Sequence, residues 1–291
     1  MLRIRAYAKL NLSLKILGKR PDGFHELASI MQSISLHDLI TLEAIPSGIQ
    51  LTTDSLQLTT DGRNLAYRAA EVFQKAGIRN LACRQAGQKS EHGVRIDLKK
   101  NIPLAAGLAG GSADAAAVLY GLNQMLNVQC PMSNVQLMEL GSQIGSDVPF
   151  CLVGGNCLVK GRGERVRRLA TRNPQPGTYY VLVVPEVEVS TKWAYAAWDA
   201  ERMSNVQCPM SNEGTGNDLE PVVIGKYPVV REIKEKLLNL GCSFAQMSGS
   251  GPGVFGEAAE RVSGEEMVFE MKKEFPKSYL VRAVERGVEL C

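Results

Sequence analysis

Several kinds of protein are excluded by what this 291-residue chain does not contain. Its seven cysteines include no C-x-x-C pair, and an odd number without such pairs builds neither a disulfide framework nor a zinc knuckle. Cys151 and Cys157, the nearest two, read as small apolar core residues, the usual state of free thiols in a reducing compartment. Three histidines leave little from which to assemble a metal cluster. No apolar run approaches the roughly 20 residues that cross a bilayer. The start, Met1-Leu-Arg-Ile-Arg5, has neither the apolar centre of a secretory signal nor the length of a transit peptide, so a cytoplasmic protein is expected. The net charge is only +3, which suits an anionic small molecule but supplies no basic stripe for nucleic acid. No G-x-x-x-x-G-K-[S/T] stretch occurs, which disfavours a P-loop.

What remains is an ordinary packed composition, 45% hydrophobic and 22% charged, with length enough for two domains. Alternating residues 2–7, 12–17, 28–35, 39–45 and 93–99 read as strands. Residues 64–76 have helical periodicity, with Gly77 as the expected stop. Residues 112–126 form a small-residue helix, and Ser133 caps another that runs to Ile144. From residue 156 a second set follows: strands at 156–160, 179–184, 244–247, 254–257 and 279–285, and helices at 191–202, 229–240 and 262–275. The elements mix without regular βαβα alternation, which points to an α+β protein of two lobes, 1–160 and 161–291. The octapeptide Asn-Val-Gln-Cys-Pro-Met-Ser-Asn occurs at 127–134 and again at 205–212. Nothing around the copies repeats, so a local duplication in surface loops is expected rather than a solenoid.

The segment Pro103-Leu104-Ala105-Ala106-Gly107-Leu108-Ala109-Gly110-Gly111-Ser112-Ala113-Asp114 carries the strongest chemical signal. A strand enters it and a helix leaves it. Its small residues let a phosphate approach the main chain, and free N–H groups at the helix start would face that phosphate. Ser112 adds a hydroxyl. The bland alternative is a glycine turn feeding an alanine-rich helix. A second cluster, Ser248-Gly249-Ser250-Gly251-Pro252-Gly253, is followed by a short strand rather than a helix, so it is no dinucleotide fingerprint but a tight turn that could face a ligand. Lys9 lies between the first two strands. Asp147 lies in Gly145-Ser146-Asp147-Val148-Pro149-Phe150, a loop between a helix and an apolar stretch. Each alone reads most simply as a solvated lysine and a turn-forming aspartate.

Taken in order, Ala8-Lys9-Leu10-Asn11-Leu12, Pro21-Asp22-Gly23-Phe24-His25-Glu26-Leu27, 103–114, Gly145–Phe150 and Ser248–Gly253 resemble the GHMP kinases over nearly the whole chain. The first two segments resemble the 4-diphosphocytidyl-2-C-methyl-D-erythritol kinase branch. The resemblance implies a two-lobed α+β kinase whose cleft joins ATP, with Mg²⁺, to an alcohol, the 2-hydroxyl of the methylerythritol moiety. By motif match it makes Asp147 the acceptor of the hydroxyl proton and sets Lys9 beside it. It assigns Pro103 to Ala113 to ATP, with Lys100 facing the nucleotide and Asn64 and Leu65 at the adenine edge. It assigns Asn11, Phe24, His25, Thr191, Tyr195, Gly249, Ser250 and Gly251 to substrate, with Phe24 and Tyr195 as aromatic walls for cytosine. Trp193 and Trp198, at helical spacing around Tyr195, read as packing residues. No protein ligand of Mg²⁺ follows, Ser112 being only a candidate, and the oligomeric state stays open. Two other readings remain: a GHMP kinase for homoserine, mevalonate or a sugar, whose pocket would not need the Phe24–His25 loop, and a non-catalytic nucleotide- or RNA-binding relative, which would not need Lys9 and Asp147.

Overall fold

A computed structural model describes residues 1–79, 93–126, 131–170, 175, 177–204 and 216–291. In chain order the elements are β1 (Leu2–Lys19), β2 (His25–Ile45), β3 (Ile49–Thr53), α1 (Leu65–Arg79), β4 (Gly93–Lys99), α2 (Gly110–Leu126), α3 (Asn134–Ile144), α4 (Val148–Val153), β5 (Asn156–Gly161) and β6 (Arg165–Arg168). There follow β7 (Tyr179–Val183), α5 (Thr191–Ser204), β8 (Gly216–Asn217), α6 (Glu220–Lys226), α7 (Val229–Asn239), β9 (Ala245–Met247), β10 (Val254–Ala258), α8 (Arg261–Lys272), β11 (Ser278–Arg282) and β12 (Val288–Leu290). The strands form two sheets, mostly antiparallel, so the protein is α+β.

The first sheet runs β12-β1-β2-β4-β3, with β5 and β6 continuing from β2 and β8 lying beside β1. β4 shows why it belongs there: Val94, Ile96 and Leu98 are buried while Arg95, Asp97 and Lys99 are exposed, the period-2 pattern of a one-sided strand. α2 is different, because Ala113, Ala115, Ala116, Ala117, Val118, Leu119 and Leu122 are all buried. A helix apolar on every side sits at the centre of a core, and its small side chains let it lie close on the sheet. A Cβ added at Gly121 would come 2.4 Å from Ile4 Cδ1 and 2.5 Å from Leu42 Cδ1. The glycine-rich segment is thereby carried on the N-terminal end of a rigid, buried rod.

The second sheet, β11-β7-β10-β9, packs with α5, α6, α7 and α8 around a separate apolar core. Leu14 and Ile16 of β1 enter that second core, while Ile4, Ala6, Ala8 and Leu10 of the same strand belong to the first. β1 therefore runs through both, and its middle lies at their junction.

Several sequence expectations are corrected. Residues 2–7 and 12–17 are not two strands with Lys9 at an end, since β1 is continuous and Lys9 is inside it. Buried polar residues interrupted the apolar pattern, and bulges shifted the register, without ending the strand. β2 is likewise one strand rather than two. α1 passes Gly77 and ends at Arg79, as a glycine weakens a helix without having to stop it. α2 begins at Gly110, two residues early, and Asp147 lies at the start of a short helix, α4, rather than in a loop. The expected last strand at 279–285 spans Ser278–Arg282, and β12 lies beyond it. Ser133 does cap α3, in a reciprocal box with Gln136. The duplicated octapeptide lies at 127–130 and 205–212 outside the described residues; of the first copy Pro131 to Asn134 is described, and there Met132 exchanges hydrogen bonds with Asn123.

Candidate active site

Lys9 and Asn11 alternate along β1, so both side chains fall on one face. Register shifts between Tyr7 and Lys9 and between Asn11 and Ser13 bracket the pair. Such bulges re-aim a strand's side chains. Both residues are buried, Lys9 at 4% exposure, and a buried ammonium demands partners. Lys9 Nζ donates to Asn11 Oδ1 at 2.5 Å and stands 3.7 Å from Asp147 Oδ2. Asn11 is itself fixed, donating from Nδ2 to Ser29 Oγ at 2.8 Å, while Ser29 Oγ donates to the Ser13 carbonyl at 2.5 Å. Asp147 comes from 138 positions further along, at the N-terminal end of α4, with Pro149 in the first helical turn; its side chain makes no capping bond there and remains partly exposed.

The glycine-rich segment closes over this pair. Ala105 and Ala109 adopt positive φ of 51° and 57°, and Gly107 a φ of 73°. Left-handed alanines are strained, and such strain persists only where surrounding contacts hold it. Those contacts are present: Lys9 N donates to the Leu108 carbonyl at 3.1 Å, Ser248 Oγ to the Gly107 carbonyl at 3.1 Å, and Gly253 N to the Ala106 carbonyl at 3.2 Å. Asn11 N donates to Ser248 Oγ at 3.2 Å. A side chain at Gly107 has no room, because its Cβ would lie 2.2 Å from the Ser248 carbonyl oxygen. The turn between β9 and β10 is thus bonded to both the segment and β1.

These parts line one cleft of about 840 Å³. Of the sequence-derived candidates, Lys9, Asn11, Phe24, His25, Pro103 through Ser112, Asp147, Thr191, Tyr195, Gly249, Ser250 and Gly251 line it. Four do not. Ala113 is fully buried inside α2. Asn64 caps α1, accepting from Ala66 N at 2.9 Å. Leu65 lies behind Gly111, its Cδ1 3.4 Å from where a Cβ on that glycine would be. Lys100, expected to face a nucleotide, is turned inward: it pairs with Asp38 and, at 2.8 Å, with Asp114. Asp38 also accepts from Asn101 N at 2.6 Å and Ile102 N at 2.8 Å. Burial pushes the Asp114 carboxyl well above the ordinary carboxylate range; Lys100 offsets this in part and Asp38 adds to it. The triad ties the end of β4 to the first turns of α2.

At the far end, Phe24 is 49% exposed, and the Arg162 guanidinium lies 5.3 Å from its ring centre. His25 stacks on Tyr195 with centroids 4.8 Å apart and 24° between planes, and meets Trp198 edge-on at 5.8 Å. Trp198 therefore packs against a cleft residue, whereas Trp193 packs on Tyr227 under the Lys226 ammonium. Thr191 and Ser250 are joined through their hydroxyls at 2.8 Å. Lys19, Ser146, Arg162, Lys192 and Asp199 also line the cleft and were not singled out from sequence. For Asp199 a signal existed, since it continues the i, i+4 stripe of Thr191 and Tyr195 on α5. Arg162 sits between Gly161 and Gly163, and nothing in that tripeptide indicated a cleft.

Chemically, the arrangement offers a carboxylate beside an ammonium, a main-chain cradle at a helix start, and an aromatic end. Comparison with known proteins places the chain in a family. Residues 64–155 match the family model described as GHMP kinases N terminal domain, and residues 205–277 that described as GHMP kinases C terminal. The chain is 41% identical over 303 residues to the 4-diphosphocytidyl-2-C-methyl-D-erythritol kinase of Moorella thermoacetica, with 98% of this chain and 99% of the relative covered. It is 38% identical over 298 residues to the protein of that name from Clostridium botulinum (strain Eklund 17B / Type B), with 97% and 100% covered. A crystal structure of 4-(cytidine 5'-diphospho)-2C-methyl-D-erythritol kinase superposes with a TM-score of 0.76 at 30% identity, over 97% of this chain and 99% of that one.

Proposed function

Since the chain belongs to the GHMP kinases, in the 4-diphosphocytidyl-2-C-methyl-D-erythritol kinase family, we propose that it transfers the γ-phosphoryl group of ATP to the 2-hydroxyl of 4-diphosphocytidyl-2-C-methyl-D-erythritol. The products are the 2-phosphate and ADP, and the step serves non-mevalonate isoprenoid synthesis. Two lobes and a cytoplasmic setting belong to the same reading, the lobes exchanging segments through β1, β6 and β12 rather than parting at residue 160. The observation that carries it is the Lys9–Asp147 pair, 3.7 Å apart, facing the cleft that the glycine-rich segment walls.

In this reading the substrate hydroxyl lies against Asp147. Its oxygen attacks the γ-phosphorus, the bond from that phosphorus to the β-phosphate oxygen breaks, and the hydroxyl proton passes to the Asp147 carboxylate. The transition state of phosphoryl transfer is loose, so orientation and charge stabilisation carry most of the rate. Lys9, held by Asn11, supplies positive charge beside the reacting oxygens. The N–H groups at the start of α2 receive the phosphates with the positive end of the helix dipole. Mg²⁺ is part of the proposal. The Ser112 hydroxyl, at an open cleft, would suit an ion that keeps several waters. When bound it would neutralise phosphate charge. At the other end Phe24, Tyr195 and His25 receive the cytosine, where an aromatic face is worth about 1–3 kcal/mol per stacked base.

The test is ADP release with ATP and Mg²⁺ on four alcohols: the cytidylated substrate, methylerythritol 4-phosphate, homoserine and mevalonate. Turnover confined to the first is expected, with Asp147→Asn lowering kcat about 10²- to 10⁴-fold while ATP still binds. Turnover on another alcohol, or an unimpaired Asp147→Asn, would overturn the reading.

A further inference from the structure

Lys19 and His25 are paired across one rung of the β1–β2 ladder, six residues apart in sequence. Both meet Asp199, which arrives from α5. Lys19 Nζ lies 2.6 Å from Asp199 Oδ2, and His25 Nε2 lies 2.8 Å from Asp199 Oδ1. Partial burial pushes the Asp199 carboxyl up, but the hydrogen bonds from Lys19 and His25 outweigh it and leave the group below its ordinary range. An ionised carboxylate has only acceptors, so His25 must present N–H at Nε2. The ring is held on its other sides by the stack on Tyr195 and the edge of Trp198. Among the described residues Nδ1 has no hydrogen-bond partner, and His25 lines the cleft.

We infer that Asp199, shared with Lys19, is a positioning residue that locks His25 with its proton on Nε2 and a bare acceptor at Nδ1, so that the cleft selects a pyrimidine bearing an exocyclic amino group over its oxo counterpart. The inference rests on the proposed function and deepens its cytosine end. The 4-amino group of cytosine donates to Nδ1. The 4-oxo group of uracil is an acceptor and would meet a second acceptor there, leaving both unpaired. Asp199 is also held from its other oxygen by the Lys19 ammonium, which fixes where it meets the ring. An imidazolium would offer donors from both nitrogens and lose the discrimination.

The experiment has two arms. The first reads the ring directly: ¹⁵N imidazole shifts of the protein without ligand, with His25 assigned among the three histidines by His25→Gln. The proton is expected on Nε2 in the wild type, with a mixture of tautomers in Asp199→Ala. The second arm is calorimetry with cytidine and uridine 5′-monophosphates, followed by steady-state kinetics. Asp199→Ala should bind the cytidine nucleotide about tenfold more weakly and lose most of its preference over uridine, consistent with one hydrogen bond to a buried partner. KM for the cytidylated substrate should rise while KM for ATP holds within about twofold, and Asp199→Asn, whose amide oxygen can still accept, should recover part of the loss. A wild-type proton on Nδ1, or a variant that keeps both tautomer and preference, would overturn the inference and leave the kinase reading intact. A wild type that prefers neither nucleotide would overturn both.

Discussion

Gly249 shows how little space the reacting groups have. It adopts a φ of 58°, and a Cβ there would lie 3.2 Å from both Lys9 Nζ and Asn11 Oδ1. Gly249→Ala therefore meets two costs. The left-handed backbone disfavours an L-residue by about 1–2 kcal/mol, and the methyl pushes on the ammonium that flanks Asp147. We expect a urea midpoint shift worth about 1 kcal/mol and a fall in kcat of about tenfold, because small displacements of reacting groups are expensive. An unchanged kcat beside that stability loss would show that Lys9 is not positioned by this turn. The residue types of the centre were readable: an Ala-Lys-Leu-Asn segment, a Ser-Asp-Val-Pro segment and two glycine clusters. Their common place was not readable from the residues themselves, because Lys9 and Asp147 meet across 138 positions; the family resemblance alone set them side by side. For Lys100 the resemblance gave an outward reading, whereas the structure pairs its ammonium with two buried carboxylates.

Those carboxylates make a prediction about the element they support. α2 starts with Asp114 in its first turns, locked to Lys100 and fully out of water. The Asp114 carboxyl sits well above its ordinary value of 3.8, burial being the main cause. An acid whose folded-state pKa is raised gives stability that is complete below its unfolded value and is lost as pH rises toward the folded one. Asp114→Asn keeps an oxygen for Lys100 and has no proton to lose. Its urea midpoint should therefore gain on the wild type as pH is raised from about 5 to about 8. A difference independent of pH would mean that Asp114 is ionised throughout. At this scale local patterns were mostly faithful. β4, the small-residue helix α2 and the Ser133 cap all declared themselves. β1 and β2 were split in reading because buried polar residues and bulges interrupt their alternation, and in β1 the interruption holds Lys9 and Asn11, which line the cleft. α4 escaped notice because six residues carry too little periodicity to register.

At the scale of the molecule, the two ends of the chain are sewn together behind the cleft. β12 pairs with β1, Tyr7 N donates to the Gly287 carbonyl at 2.9 Å, and Tyr7 Oη donates to Glu289 at 2.7 Å. A Cβ on Gly287 would fall 1.8 Å from the Cys151 carbonyl in α4, the helix that Asp147 begins. Gly287→Ala should push α4 outward, costing about 1–3 kcal/mol as overpacking does, and should lower kcat along with stability. Gly225→Ala is the matched control, because nothing lies within 4 Å of its Cβ position. It should leave thermal midpoint and kcat unchanged or slightly improved. Equal effects of the two substitutions would refute the coupling of the C-terminal strand to Asp147.

Resemblance to the GHMP kinases implied the kinase chemistry and the placing of Lys9 beside Asp147, while the sequence by itself indicated most strands and helices of an α+β fold and a segment that could hold phosphate. The elements and the segment follow from side-chain type and short-range spacing, which are local properties of the chain. Only the tertiary structure showed the 3.7 Å approach of Lys9 to Asp147, the pairing of Lys100 with the buried Asp38 and Asp114, and the contacts of Asp199 with both Lys19 and His25. Each of those depends on a distance between residues far apart in sequence, and such distances are set by the packing of two cores through which β1 passes, not by any local preference.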